Sequence, residues 1–298
     1  MSEENTSCCA LCGIAEIDDI KLMPCDDCDL VRYCSDDCRG DHKPQHEEDC
    51  KKRTAELRDE LLFKQPESSC YGDCPICMIS LPLDPAKSSI MGCCSKLICR
   101  GCEYANKKRE IEMRLQSSCP FCRELVPGTE EEFDKQLMKR IEANDLTATV
   151  QQGVLHIMKG EYQSAFEYWS KAAGFGHADA HYQLSVMYHD GDFVEKDKRK
   201  EIYHLEEAAI NGHPGARYNL GCHEYGHDNV ERAVKQWIIA ATLGDDNAIK
   251  WLMKAFKEGF VIKDDLEAAL RAHKAAVDAT KSPQRAEAEK YYRRNNIC

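Results

Sequence analysis

Beyond residue 145, small and apolar residues return at a nearly fixed interval. Ala148, Ala180, Ala216 and Ala248 recur 32, 36 and 32 residues apart, and Gly160, Gly191, Gly226 and Gly259 follow at 31, 35 and 33. Paired alanines close each unit at Ala172-Ala173, Ala208-Ala209, Ala240-Ala241 and Ala275-Ala276, with Gly176, Gly212 and Gly244 three residues after three of them. The clearest unit is Ala178-x-Ala180-x3-Leu184-x3-Tyr188-x2-Gly191. Apolar positions three and four apart belong to one helical face. Alanines let antiparallel helices approach closely, and glycines supply the left-handed residue that ends a helix. A period of this length predicts stacked helix pairs, here four over residues 145–280, forming a solenoid. Trp169, Trp237 and Trp251 are expected between helices. His177 and His213 follow glycines and read as turn residues, and Cys222 as a small core residue. Pro283 is expected to break the chain before a polar capping helix within residues 281–298.

Two shorter stripes lie upstream. Leu57, Leu61 and Leu62 share one helical face in a linker, residues 51–73, whose helix ends at Pro66. Phe133, Leu137 and Ile141 follow at four-residue spacing after Thr129-Glu130-Glu131-Glu132, a capping box. They predict a connecting helix over residues 129–143, packed between the repeats and what precedes them.

The front of the chain has another organisation. Seventeen of the 19 cysteines lie before residue 123, while Cys222 and Cys298 lie beyond it. Residues 74–122 contain Cys74-x2-Cys77, Cys93-Cys94, Cys99-x2-Cys102 and Cys119-x2-Cys122. A two-residue gap lets both thiolates turn onto one tetrahedral zinc ion, at about 2.3 Å from the metal. Residues 9–50 contain Cys9-x2-Cys12, Cys25-x2-Cys28, Cys34-x3-Cys38 and His46-x3-Cys50. His46 and Cys50, four apart, share a helix face. Cys8 rivals Cys9 as the first ligand, but only Cys9 keeps the two-residue spacing. His42 reads as a solvated surface residue and Cys70 as a free thiol. Each cluster supplies eight ligands, enough for two closed zinc sites, or four ions in all. So short a segment with few large apolar side chains cannot bury a sufficient core. Metal binding is expected to supply the difference, about 10–16 kcal/mol per structural zinc in peptide models.

Residues 9–50, with their eight ligands and Tyr33-Cys34-Ser35, resemble a MYND-type zinc finger. The resemblance implies interleaved sites: Cys9, Cys12, Cys34 and Cys38 for one ion; Cys25, Cys28, His46 and Cys50 for the other. It also implies binding of short proline-containing peptides. Arg39 and His42 stand where the family often has Gln and Trp. Residues 74–123 resemble an all-cysteine RING finger. That implies one ion on Cys74, Cys77, Cys99 and Cys102, and a second on Cys93, Cys94, Cys119 and Cys122. It further implies docking of a ubiquitin-conjugating enzyme through Ile76, Pro120 and Arg123. Two departures stand out: Cys93 and Cys94 are adjacent, and Asn106, with Tyr104 nearby, replaces a frequent Trp. The repeats resemble Sel-one-like repeats, relatives of the tetratricopeptide repeat, which present a surface to other proteins.

Charge and hydropathy then narrow the partners. The chain carries 40 Lys and Arg against 52 Asp and Glu, a net charge of −12. Residues 1–50 hold 14 carboxylates against Lys21, Arg32, Arg39 and Lys43. A phosphate-binding surface needs the opposite sign, so nucleic acid is a poor partner. No apolar run is long enough to span a bilayer and no apolar signal core opens the chain. The expected setting is therefore the cytoplasm or nucleus, where thiols stay reduced and serve as metal ligands. The fold class expected is multidomain: two small zinc-stapled α+β fingers followed by an all-α helical-repeat solenoid. Two functions remain open. One is a RING-type ubiquitin ligase that recruits the conjugating enzyme through the RING and a protein substrate through the repeats. The other is a non-catalytic adaptor whose fingers and solenoid bind proteins. No nucleophile–base triad, P-loop or dinucleotide fingerprint appears.

Overall fold

The computed structural model describes residues 8–16, 20–191 and 193–295, which leaves Cys298 outside the described residues. The chain divides into two compact units, Met1–Lys64 and Gln65–Cys298.

In the first unit, β1 (Met23–Pro24) pairs antiparallel with β2 (Arg32–Tyr33), and α1 (Asp36–Leu62) follows. Ser35 caps α1, its Oγ accepting from the Cys38 N–H at 3.2 Å, and Asp36 and Asp37 sit in the first turn. The leucine stripe of the linker is thus the end of a helix that begins inside the cysteine cluster. Sequence periodicity hides this, because only His46 and Leu62 are buried along its 27 residues. Ion pairs such as Arg53–Glu56 and Arg53–Glu60 line the rod instead. The helix runs through Pro44 without the break a mid-helix proline invites.

The second unit begins with the other cysteine module. Strands β3 (Ser88–Met91) and β4 (Lys96–Cys99) form an antiparallel hairpin with Met91 opposite Lys96, and α2 (Arg100–Met113) starts directly from it. The connecting helix is α3 (Glu130–Glu142). Its N-cap is Thr129, whose Oγ1 accepts from the Glu132 N–H, but the Glu132 carboxylate accepts from Gly128, one residue further back than the capping box requires. Leu137 and Ile141 are buried against Ala148, and Phe133 closes over Gly92 of the β3–β4 turn. This helix therefore bridges module and repeats.

Four helix pairs follow among the described residues: α4 (Leu146–Met158) with α5 (Tyr162–Ala173), α6 (Ala178–Asp190) with α7 (Lys198–Ile210), α8 (Pro214–Gly226) with α9 (Val230–Thr242), and α10 (Asp246–Lys257) with α11 (Lys263–Ala279). Ala148, Ala180, Ala216 and Ala248 are all fully buried at corresponding places. The preceding residue types repeat as well. Asp145, His213 and Asp245 cap their helices by accepting the N–H of Ala148, Ala216 and Ala248. Gly160, Gly176, Gly191, Gly212, Gly244 and Gly259 take the left-handed conformation expected of them. Gly226 does not: it is the last residue of α8, and Asp228 (φ 62°) makes that turn. Paired alanines are buried in three units, whereas Ala275 is exposed and Ala276 half-buried, because α11 ends the stack.

Trp169 and Trp237 are buried, each donating its indole N–H to the facing helix, at Val150 O and Tyr218 O. Trp251 is only half-buried and stacks on Trp237 at 5.1 Å. Both buried indoles need a glycine opposite. A Cβ at Gly153 would stand 2.4 Å from Trp169 Nε1, and one at Gly221 2.3 Å from Trp237 Nε1. The last helix, α12 (Pro283–Arg294), begins at Pro283 rather than after it, with Ser282 as N-cap. Proline suits the first helical turn, where its missing N–H has no partner to lose. Nor does α12 simply cap the solenoid: it packs along α2 of the cysteine module. No helix among the described residues is long and apolar enough to cross a membrane.

Alanine normally stabilises a mid-helix glycine site by roughly 0.5–1 kcal/mol. At Gly221 the indole reverses that sign. Gly221→Ala is expected to lower stability by about 1–3 kcal/mol through overpacking, read as a lower midpoint in thermal or urea unfolding followed by helical circular dichroism.

Candidate metal centres

One backbone design recurs four times. In each two-residue knuckle the N–H of the fourth residue after the first cysteine donates back to that cysteine's carbonyl. The pairs are Gly13 to Cys9 (2.9 Å), Asp29 to Cys25 (3.4 Å), Met78 to Cys74 (2.9 Å) and Arg123 to Cys119 (3.0 Å). Each of these four residues has a positive φ, between 54° and 74°. The first cysteine's own N–H then donates to Ile14, Val31, Ile79 or Glu124 and pins the returning strand. This tight reversal exposes the N–H groups inside the knuckle to the first sulfur, as with Phe121 N–H on Cys119 Sγ at 3.4 Å.

The remaining pairs come from helix starts and one turn. Cys34 and Cys38 flank the N-cap of α1, and Cys99 is the N-cap of α2 with Cys102 in its first turn. The partial positive charge of a helix N-terminus favours thiolate there. His46 and Cys50 project from α1, His46 Nε2 lying 3.1 Å from Cys28 Sγ. Cys93 and Cys94 occupy the turn between β3 and β4, where the Cys94 and Ser95 N–H groups both donate to Met91 O. That turn is how adjacent cysteines reach one centre.

The ligand atoms gather into four sets, each with all members within 4.8 Å of one another: Cys9, Cys12, Cys34 and Cys38; Cys25, Cys28, His46 and Cys50; Cys74, Cys77, Cys99 and Cys102; Cys93, Cys94, Cys119 and Cys122. Cys8 is exposed and outside them. The closer sulfur pairs include Cys93–Cys122 at 3.3 Å, Cys77–Cys99 at 3.8 Å and Cys94–Cys119 at 3.9 Å. A tetrahedron with 2.3 Å arms has edges of about 3.8 Å, whereas a disulfide needs about 2.05 Å. The donor sets fit zinc. In both modules the first and third ligand pairs form one set, and the second and fourth the other.

Residues 9–50 match the family model of the MYND finger. The first module is a MYND finger. The chain is 32% identical over 98 residues to the chitin synthase regulator SKT5 of Saccharomyces cerevisiae, a match covering 33% of this chain and 13% of that protein. Among solved structures it is similar to a Sel1 repeat protein from Oxalobacter formigenes, with 23% identity, a TM-score of 0.44, and coverage of 60% of this chain and 72% of that one. It is also similar to a protective antigen of uropathogenic Escherichia coli displaying an SLR fold, with 24% identity, a TM-score of 0.40, and coverage of 55% and 37%.

Within the MYND finger, Tyr33 is buried and its hydroxyl meets His42 Nδ1 at 3.1 Å, while His42 stacks on His46 with centroids 5.8 Å apart. His42 is therefore half-buried support for a ligand rather than a solvated residue. Its position four residues before His46, on the same helix face, was the available signal.

Without metal, crowding divides the thiols. Cys74 falls to about 4, first because the Cys99 thiol donates to it and then through knuckle N–H groups. Cys99 is pushed up by the same contact, and Cys102 is pushed up to about 12 by burial. In the MYND finger the Cys12 N–H is the main cause that brings Cys9 down to about 6, and burial drives Cys50 up to about 12.

The three residues that the resemblance singled out, Ile76, Pro120 and Arg123, lie on knuckles. Ile76 is 40% exposed inside the Cys74–Cys77 loop, Pro120 is half-buried inside the Cys119–Cys122 loop, and Arg123 is exposed just after it. Asn106, in the place often taken by Trp, is buried as a polar hub. It donates to Ser118 O (2.9 Å) and Glu110 Oε1 (2.7 Å), and its Oδ1 accepts from Arg123 Nη1 at 2.7 Å. Burial would raise the Glu110 carboxyl, but donors from Ser118 and Asn106 more than offset it and hold it low. Tyr104 does not substitute for the missing aromatic; it packs on Tyr291 and Tyr292 of α12.

A fifth group joins Cys70, Asp179 and His213. Its chemistry does not suit a metal. His213 Nδ1 accepts the Ala216 N–H at 3.1 Å, so the hydrogen sits on Nε2, which faces Asp179 Oδ1 at 3.4 Å. The lone pair a metal would take is occupied. The group instead fastens the segment before the second module: Cys70 N–H donates to Gly212 O (3.0 Å), and Tyr182 stacks on His213 at 4.1 Å.

Zinc must displace the protons of Cys99 and Cys102, so affinity at that site is expected to rise with pH. The slope should be at least about a hundred-fold per pH unit near neutrality, because two protons leave. Competition against a chelator of known affinity, repeated across pH, measures it.

Proposed function

We propose that this chain is a zinc-dependent protein-interaction scaffold whose second module acts as a RING-type ubiquitin ligase. A MYND finger joined to helical repeats is an architecture for binding proteins. The finer reading rests on one observation: the second module crosses its ligand pairs between two all-cysteine sets, with Ile76, Pro120 and Arg123 on the two knuckles that open and close it. Each set has four ligands, so both zincs are structural and no open coordination position remains for metal chemistry.

Such a module makes no covalent bond itself. It holds a conjugating enzyme and its thioester-linked ubiquitin so that a substrate lysine attacks a prearranged carbonyl, which is catalysis by positioning. Ile76 supplies apolar contact to the enzyme, and Arg123, steadied by Asn106, offers its remaining donors to enzyme and ubiquitin. The repeats, and the MYND finger through short peptides, supply the substrate. The sixteen gathered ligands hold four zincs, and the setting is a reducing one, cytoplasm or nucleus.

A second reading is supported by Asn106. A buried polar hub in place of an exposed aromatic removes apolar docking surface, which favours a non-catalytic adaptor. Incubation with ubiquitin, activating enzyme and a panel of conjugating enzymes separates the two. Ubiquitin chains are expected with the wild type, and at least about ten-fold less with Ile76→Ala or Arg123→Ala, the loss of roughly 1.4 kcal/mol of docking. No chains with any conjugating enzyme would leave the adaptor. Native mass spectrometry is expected to find four zincs per chain, and two after removal of residues 1–64.

A further inference from the structure

Helix α12 reaches back some 200 residues in sequence to the first metal set of the second module. Arg285 Nη1 donates to Ser80 O and Thr280 O, both at 2.6 Å. Its Nη2 donates to Ile79 O at 2.8 Å and points at Cys77 Sγ, 3.6 Å away. Ile79 is the residue whose carbonyl receives the Cys74 N–H, so the guanidinium grips the knuckle at its closing bond.

The approach is built from both sides. Gly101 lies between Cys99 and Cys102, and a Cβ there would stand 2.8 Å from Arg285 Cγ and 3.1 Å from its Cα. Around it Tyr104 packs on Tyr291 (4.8 Å), Arg100 lies over the Tyr292 ring (4.7 Å), and Lys108 pairs with Glu287 (3.1 Å). A planar cation is thus fixed by three carbonyls with one N–H aimed at a ligand sulfur. Four thiolates on one Zn²⁺ carry an excess charge of about −2. An N–H donor on a ligand sulfur relieves that charge and orients the ligand, and loss of such support typically costs about 10–100-fold in metal affinity.

We propose that Arg285 is an outer-shell donor to the zinc of Cys74, Cys77, Cys99 and Cys102, so that this ion and the docking of the C-terminal helix stabilise each other. The inference rests on the zinc reading of the second module. It makes the module dependent on a residue of the opposite end of the chain, and by reciprocity makes α12 a reporter of metal occupancy.

The test uses the whole 298-residue chain loaded with zinc. Release to a chromophoric chelator is followed for wild type, Arg285→Ala, Arg285→Lys and Tyr292→Ala. One ion of the second module is expected to leave about 10–100-fold faster in Arg285→Ala, with the ions of residues 9–50 unchanged. Arg285→Lys, which keeps the charge but not the fork, is expected in between. Tyr292→Ala, which loosens α12 while keeping the guanidinium, is expected to hasten the same ion. In cobalt-substituted protein the thiolate-to-metal charge-transfer band is expected to move to lower energy in Arg285→Ala, a signature a purely mechanical fastener would not give. Unchanged release and an unmoved band in a folded Arg285→Ala protein would overturn the proposal. A wild type that holds only two zincs, both lost with residues 1–64, would overturn the zinc reading itself.

Discussion

Thiolate packing is the constraint on which both modules depend. Each brings eight ligands into two sets by alternating pairs along the chain, so every loop contributes to one set while it threads past the other. Opening either set therefore loosens both loops. The apolar residues around them are few: Leu22 and Tyr33 in the first module, Leu81 and Ile98 in the second. Such a core cannot offset the conformational entropy of its segment, and the metals make up the difference. This is also why the strands are only two to four residues long and need no larger sheet.

The second module is part of the repeat unit, not a head tethered to it. Its leading segment bonds to Gly212, Leu83 approaches Gly244, α3 packs Phe133 on Gly92, and α12 grips the first knuckle. Turns between successive repeats thus meet the module at several levels. For the proposed ligase this matters mechanically. A conjugating enzyme bound at Ile76 and a substrate bound by the repeats are held by one body, and the transfer distance is set by the fold rather than by a linker.

Much of this was legible in the sequence, for specific reasons. Repeat helices declare themselves because Ala148, Ala180, Ala216 and Ala248 have no alternative but the interior of a close-packed helix pair. The ligands declare themselves by their short spacings, whereas their crossing into sets was implied by the resemblance to known fingers and not by spacing. What spacing could not show is the extent of α1, whose polar surface carries no apolar period, or the role of His42, which depends on the ring beside it. The path of α12 was equally hidden. Its sequence reads as a polar cap, and only the guanidinium of Arg285 and the bare surface of Gly101, far apart in the chain, disclose where it binds. Asn106 was visible as a departure, but its function as the hub for Ser118, Glu110 and Arg123 required coordinates.

The left-handed residue that closes each knuckle separates what the fold demands from what the surface displays. Gly13, Asp29, Met78 and Arg123 share a backbone shape that disfavours β-branched residues, yet their side chains have nothing else in common. At Gly13 the space beyond the backbone is open. Any residue willing to bear roughly 1–2 kcal/mol of strain can be mounted there without disturbing the metal. Each knuckle thus presents an interchangeable emblem on an invariant stem, and a lineage could retarget either module by changing two letters while leaving all sixteen ligands untouched.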